Sequence, residues 1–168
     1  MVKSWSATKP FFLKSSIILN LSLLFIFPVP GTNGFVTLAE VGIYTAAFLL
    51  GPLGGFWVGA LSGGLIDLFS GYPQWIIASV LIHGIQGWIA GYFFRKNNRW
   101  FDTFGFLSGS VWMVLGYALA TGLMYTWPAG VASLFGNTIQ NIFGVTLTVF
   151  LMSALRKINH PLMKEDVS

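Results

Sequence analysis

The placement of charged side chains is the feature of this sequence that most limits its fold. Of 168 residues, 8% are charged and 55% are apolar, whereas a soluble domain carries about 25% charged residues. So few charges cannot cover a surface that faces water, so lipid must cover most of it. We therefore predict one integral membrane domain over residues 1–168.

The basic residues form three clusters, which long apolar stretches keep apart. These clusters are Lys3, Lys9 and Lys14; Arg95, Lys96 and Arg99; and Arg156, Lys157 and Lys164. A net charge of +4 is compatible with nucleic-acid binding, but this spacing is typical of cytoplasmic loops between membrane helices. The chain contains no cysteine, which excludes disulfides, thiolate catalysis and cysteine-based metal sites.

Six apolar stretches, separated by proline, glycine or charged residues, predict an all-α membrane protein with six transmembrane helices. They cover about Phe11–Phe27, Val36–Leu50, Leu53–Ser70, Gln74–Phe94, Phe101–Trp127 and Gly130–Leu155. An even number of crossings places both termini, and all three basic clusters, on one side, which is the cytoplasm. The first stretch resembles a signal peptide, but Pro28 and Pro30 stand where a cleavage site is expected, so we predict a retained helix.

Glycines punctuate the third and fourth predicted helices at spacings of four residues. The spacings are Gly55, Gly59 and Gly63 in one helix, and Gly87 and Gly91 in the next. Small residues at this spacing let membrane helices approach closely. Two interpretations stay open, namely tight packing within the bundle and a smooth face that slides against a partner.

Three acidic residues and one histidine fall within the predicted helices, and one of the three, Asp102, follows a basic cluster and is interpreted as a solvated residue at a helix start. Glu40 and Asp67 are candidate functional groups because acidic side chains inside a bilayer are expensive, although each is also compatible with a place at the water interface. His83 lies in the middle of the fourth helix, with Gln86 on the same face. We predict no metal site, because no cysteine or second membrane histidine is available to complete one.

Amides and aromatic rings supply further candidates. Asn137, Gln140 and Asn141 share one face of the sixth helix, where amides either join helices or bind a ligand with several hydrogen-bonding groups. Aromatic residues near the predicted outer turns are Tyr72, Trp75, Tyr117, Tyr125 and Trp127. Flat rings with a few polar groups are typical of a pocket for a small heteroaromatic compound.

Motifs for catalysis or nucleotide binding do not occur in the sequence. GxxxxGK[ST], HExxH and GxSxG are all missing. We therefore predict that the chain is not an enzyme, and that any energy for transport comes from another chain. The alternative to a ligand-binding protein is a membrane scaffold subunit without a ligand of its own.

Several segments resemble the substrate-binding S components of energy-coupling factor (ECF) vitamin transporters, within the branch of hydroxymethylpyrimidine and pyridoxine carriers. The resemblance covers about Gly34–Gly144 and is carried by these segments: Gly34-Phe-Val-Thr-Leu-Ala-Glu40, Leu50-Gly-Pro-Leu-Gly-Gly55, Gly63-Gly-Leu-Ile-Asp67 through Pro73, Ile82-His-Gly-Ile-Gln86, Val114-Leu-Gly-Tyr117, and Gly136-Asn-Thr-Ile-Gln140. The family often has Asp at the position of Glu40, and Lys-Gly-x-Glu where this chain has His83 to Gln86.

The resemblance implies an S component in the bacterial plasma membrane that binds a small water-soluble vitamin or precursor near its outer face. It also implies a membrane scaffold subunit and two partner ATPases that use the ATP, so this chain needs no cofactor of its own. The predicted ligand-binding residues are Glu40, Asp67, Tyr72, Trp75, His83, Tyr117, Asn137 and Gln140. The family's helix-one contact motif corresponds here to Ser15, Ser16 and Asn20, which we predict to contact the scaffold.

Overall fold

The computed structural model describes residues 14–19, 23, 26–28, 35–96 and 98–162, and this part of the chain is almost entirely helical. Its elements are two short strands, β1 (Ile26–Pro28) and β2 (Phe35–Thr37), and the helices α1 (Ala39–Phe69), α2 (Ile76–Phe94), α3 (Arg99–Met124) and α4 (Trp127–Leu162). A 3-10 turn, Pro73–Trp75, precedes α2, and residues 14–19 form a further helical segment. Within the described residues, four helices are long and apolar enough to cross a membrane, which supports the all-α membrane class.

Helix α1 is broken at Gly51, as the sequence predicted. Gly51 has φ 76° and ψ −163°, a conformation that is essentially restricted to glycine. Pro52 follows and, because it has no N–H to satisfy, suits the first turn of the next helix. The break divides α1 into an N-terminal arm (residues 39–50) and a C-terminal arm (residues 52–69).

The two arms run in opposite directions, as their contacts with α2 show. Along the N-terminal arm, Glu40 lies beside His83 and Phe48 packs on Phe94, so this arm runs parallel to α2. Along the C-terminal arm the order is reversed, from Gly51 against Gly91, through Gly55 against Gly87, to Gly63 against Ser79. The N-terminal arm is about 18 Å long at 1.5 Å per residue. It begins beside His83 and ends beside Arg95.

The C-terminal arm and α2 touch through their backbones. A Cβ atom added at Gly55 would collide with the Gly87 carbonyl, and one added at Gly59 would collide with the His83 carbonyl. Contact this close replaces the hydrophobic driving force that is missing between helices in lipid. The glycine spacings in the sequence therefore form a packed seam between these helices.

The entry into α1 differs from the prediction. The predicted helices Phe11–Phe27 and Val36–Leu50 both extended into residues that the structure assigns to strands. β1 and β2 pair antiparallel, with Ile26 opposite Thr37, and this pairing satisfies backbone groups that Pro28 prevents from continuing a helix. The Thr37 hydroxyl then accepts a hydrogen bond from the Ala39 N–H at 3.2 Å, so the helix begins at Ala39 instead of Val36.

The remaining helix ends lie within a few residues of their predicted positions, except at α4. Asn98 caps α3, because its side-chain oxygen accepts a hydrogen bond from the Trp100 N–H at 2.9 Å. Helix α4 begins at Trp127 and continues to Leu162, whereas the sequence predicted about Gly130–Leu155. Pro128 lies in the first turn of α4, where the missing N–H has no intrahelical partner to lose.

The end of the bundle near Gly51 is closed by rings and one ion pair. Tyr44, Phe94 and Phe106 pack edge to face, with centroids 4.9–5.0 Å apart for the two contacts of Phe106. Below them, Arg156 binds Asp102 at 2.6 Å and covers the Phe48 ring at 5.1 Å. This pair links α4 to α3 and to the N-terminal arm.

Candidate ligand-binding site

A network of buried polar side chains lies where the N-terminal arm, α2, α3 and α4 meet, and Glu40 is at its centre. The Glu40 side chain is fully buried. The Gln140 amide donates to both of its carboxylate oxygens, at 3.1 Å and 3.0 Å, and His83 Nδ1 lies 4.0 Å from Oε1. A carboxylate held this way, inside an apolar bundle, is a strong recognition group because unmatched charge is expensive there.

His83 links Glu40 to two further groups. Its Nδ1 atom lies 2.8 Å from the Gln86 Oε1 atom, and its Nε2 atom lies 3.0 Å from the Tyr117 hydroxyl. The Tyr117 hydroxyl in turn lies 2.7 Å from Ser79 Oγ. Gly63 of the C-terminal arm lies against the Cδ2 atom of the His83 ring, and Gly59 lies against the His83 carbonyl, so the imidazole contacts both this arm and α3.

Tyr44 joins the other half of the network, four residues along the N-terminal arm from Glu40. Its hydroxyl accepts a hydrogen bond from Gln86 Nε2 at 3.2 Å, donates to Asn141 Oδ1 at 3.2 Å and lies 3.0 Å from Ser110 Oγ. The Asn141 amide N–H is bonded to the Met113 sulfur at 2.9 Å. Tyr44 therefore connects α2, α3 and α4 through one hydroxyl.

Asp67 and an aromatic group lie on the side of the site away from Gly51. The Asp67 Oδ2 atom is buried and has no hydrogen-bond partner among the described residues. The Trp75 ring packs against Tyr117 at 5.9 Å and against Tyr125 at 6.0 Å. These rings close the network at the depth where α2 begins.

The structure brings together part of the predicted ligand-binding set. Glu40, His83, Tyr117 and Gln140 belong to one network, and Trp75 contacts it through Tyr117. Two predicted residues are less directly connected. Tyr72 forms the turn after α1, where its N–H donates to the Asp67 carbonyl at 2.8 Å, and Asn137 is half-buried without a side-chain hydrogen bond to any described residue.

The predicted scaffold contacts lie partly outside the described residues. Asn20 is not among them. Ser16 and its neighbour Ile17 are exposed, while the Ser15 hydroxyl is buried. Ile18 faces inward and packs on Ala46 and Val58, one from each arm of α1, so one side of this helical segment belongs to the bundle.

The predicted set leaves out five polar residues that the network contains, namely Tyr44, Ser79, Gln86, Ser110 and Asn141. Tyr44 and Ser79 give no signal of their own in an apolar helix, although Tyr44 is one turn from Glu40, on the same helical face. Gln86 and Asn141 do share faces with His83 and Gln140, and that spacing is the signal that identifies them.

A separate groove of about 410 Å³ runs between α3 and α4. Its walls are mostly apolar, and it meets the network only through Ser110 and Asn141. Many side chains along α3 and α4 are exposed, including Leu107 and Ile142, as expected for helices that face lipid. The network around Glu40 is the better candidate for a ligand site, because the groove offers little that could orient a polar ligand.

A polar network within an apolar helical bundle is typical of an integral membrane protein that binds a small ligand. Residues 15–157 match the family model described as the S component of an ECF-type riboflavin transporter. The chain belongs to this family of ECF-type S components. It is therefore a multi-pass transport protein of the plasma membrane, and the prediction that it is not an enzyme is confirmed by the family.

Two curated relatives extend this comparison. The thiamine precursor transporter HmpT of Lactococcus lactis is 38% identical over 138 residues, which cover 82% of this chain and 80% of the relative. A protein of Pyrococcus woesei described as an uncharacterized protein in a gap 3′ region is 28% identical over 138 residues, covering 82% of this chain and 93% of the relative. The branch suggested by the sequence resemblance is thus supported by the name of the first relative.

Proposed function

We propose that this chain captures hydroxymethylpyrimidine, a thiamine precursor, and holds it in the network around Glu40. The observation that carries the proposal is the fully buried Glu40 carboxylate. Among the described residues its donor is Gln140, whereas a carboxylate offers about four acceptor positions. Hydroxymethylpyrimidine is an aminopyrimidine, and its exocyclic amino group can donate hydrogen bonds to the remaining acceptor positions of Glu40.

The surrounding groups suit a single polar ring. His83, Tyr117 and Trp75 offer aromatic faces and edges, against which a pyrimidine can stack. Asp67 has a buried oxygen without a partner among the described residues, and it can accept a bond from a hydroxymethyl group. The HmpT relative is named for a thiamine precursor, which favours this ligand over pyridoxine and over the riboflavin in the family name.

Purified protein tests the ligand directly. We expect hydroxymethylpyrimidine to bind in isothermal titration calorimetry with at least about tenfold higher affinity than pyridoxine or riboflavin, because an unmet buried acceptor costs about 1–3 kcal/mol. Pyridoxine shares an aromatic nitrogen ring with methyl and hydroxymethyl substituents but lacks the amino group, so it serves as the matched comparison. Equal affinity for pyridoxine, or preference for riboflavin, would contradict the assignment.

Uptake requires partners in this proposal, namely a membrane scaffold and two ATPases that supply the energy. The exposed side of residues 14–19, which includes Ser16, is the proposed scaffold contact. We expect the chain alone in liposomes to bind ligand without hydrolysing ATP or concentrating the ligand, because its sequence contains no phosphate-binding loop. ATP-driven accumulation of the ligand by the chain alone would contradict the assignment of ATP hydrolysis to partner subunits.

The topology in this proposal has six crossings and cytoplasmic termini. It is supported by the reversal at Gly51, and by the position of Arg95 beside that reversal, at the same end as the pair of Arg156 and Asp102. A basic end of the bundle belongs in the cytoplasm.

Single cysteines test the topology without removing any native cysteine, since the chain has none. With an impermeant thiol reagent on intact cells, we expect labelling of Thr32→Cys and none of Ser4→Cys or Asn98→Cys. Permeabilised cells should label all three variants, which controls for reactivity. The opposite pattern on intact cells would reverse the orientation.

A further inference from the structure

The hydrogen bonds of the buried network have a direction, which the Met113 thioether determines. Met113 is fully buried, and a thioether sulfur can only accept a hydrogen bond. Asn141 must therefore present its NH₂ group to Met113, at 2.9 Å, and its carbonyl oxygen to Tyr44, at 3.2 Å. The one proton of the Tyr44 hydroxyl is thus committed to Asn141.

The same reasoning continues from Tyr44 to His83. Because the Tyr44 proton is used, its oxygen accepts from Gln86, which turns the Gln86 NH₂ group toward Tyr44 and its carbonyl toward His83. That carbonyl lies 2.8 Å from His83 Nδ1 and can only accept, so Nδ1 must carry the hydrogen. In the ring with a single hydrogen, the Nε2 atom then accepts from the Tyr117 hydroxyl at 3.0 Å.

We infer that Met113 and Tyr44 are positioning residues, which hold His83 in the Nδ1–H tautomer through Asn141 and Gln86. The inference about the tautomer is independent of the ligand. Its consequence for selectivity rests on the proposed function: with the Nδ1 hydrogen committed to Gln86, Glu40 keeps its acceptors for the ligand. The site then selects a ring that presents hydrogen-bond donors along the edge facing Glu40.

Nitrogen NMR of ¹⁵N-histidine-labelled protein reads the tautomer directly, since protonated and unprotonated ring nitrogens differ in chemical shift. The chain has two histidines, so a His160→Gln background isolates the His83 signal. We expect a protonated Nδ1 and an unprotonated Nε2 in this background without ligand. Met113→Leu conserves volume but removes the acceptor, which frees Asn141 and Gln86 to turn over, so we expect a mixture that includes the Nε2–H form.

Two further variants distinguish an effect of hydrogen-bond direction from an effect of side-chain packing. Tyr44→Phe keeps the ring and removes the hydroxyl, and it should also give a tautomer mixture. Met152→Leu changes the other buried methionine beside Tyr44, which packs in the apolar cluster, and should leave the tautomer unchanged. Melting temperatures of all variants, measured alongside, show whether each retains its fold.

Ligand affinity provides the second readout. With hydroxymethylpyrimidine as the probe, Met113→Leu should lower affinity by about threefold to tenfold, the equivalent of one net hydrogen bond, and Met152→Leu should not. An Nε2–H or doubly protonated His83 in the parent background, or a Met113→Leu variant with the parent tautomer and affinity, would overturn the inference. If no variant binds the probe but the tautomer changes as expected, the inference stands and the proposed ligand is wrong.

Discussion

Glu40→Gln is expected to lower the affinity for hydroxymethylpyrimidine by about 100-fold, since hydrogen bonds to a charged group are each worth about 1.5–3 kcal/mol. The substitution keeps the shape of the side chain but replaces two acceptor oxygens by one acceptor and one donor. Gln140 donates to both oxygens of Glu40, so the new NH₂ group would face another NH₂ group. Calorimetry with purified protein measures the loss.

Stability should respond differently from affinity. Glu40 is fully buried, and removing a buried charge relieves a desolvation penalty, so we expect the melting temperature of Glu40→Gln to stay close to that of the parent. Asp102→Asn is the matched control. It changes a second buried carboxylate at the end of the bundle near Gly51, breaks the pair with Arg156, and should lower stability while leaving affinity within about twofold. A Glu40→Gln variant that melts early but binds normally would make Glu40 a structural residue.

The sequence singled out the centre of the buried network but not its connections. Acidic and imidazole groups are conspicuous in an apolar helix, so Glu40 and His83 could be singled out at once. Tyr44 could not, because a tyrosine in an apolar helix gives no signal of its own and its importance comes from meeting Gln86, Asn141 and Ser110 in space. Asn137 shares a face with Gln140 by spacing, yet α4 is turned so that Gln140 reaches Glu40 and Asn137 does not.

Some features of the fold likewise followed from the local sequence, whereas others depend on contacts between distant segments. Gly51 and Pro52 break any helix, and a continuous run of apolar residues on both sides predicts helices there, so this boundary followed from local rules. The pairing of β1 with β2 depends on two segments that are separated in sequence and are individually as apolar as a helix. Asp102 similarly looks like a solvated residue at a helix start, but Arg156 from the far end of α4 reaches it.

Gly87→Ala is expected to be the most destabilising small substitution in the bundle. A Cβ atom at this position would collide with the backbone of Gly55, whose Cα would lie only 3.0 Å away. Backbone atoms cannot rotate aside as a flexible side chain does, so the C-terminal arm and α2 must separate along the whole seam. We expect a loss of about 3 kcal/mol or more in the free energy of unfolding, measured by thermal or denaturant unfolding of the purified protein.

Gly136→Ala is the matched control, because a Cβ atom there meets nothing within 4 Å. Alanine in a helix with free space around it should stabilise the protein by about 0.5–1 kcal/mol. The comparison also decides between packing and sliding as the role of the glycine seam. If Gly87→Ala melts like the parent and binds ligand normally, but blocks uptake in the complete transporter, the seam is a sliding surface. If Gly87→Ala lowers stability and affinity together, the seam is a fixed packing contact that keeps His83 against Gly59 and Gly63. The position of the candidate site then depends on close backbone packing between the C-terminal arm and α2.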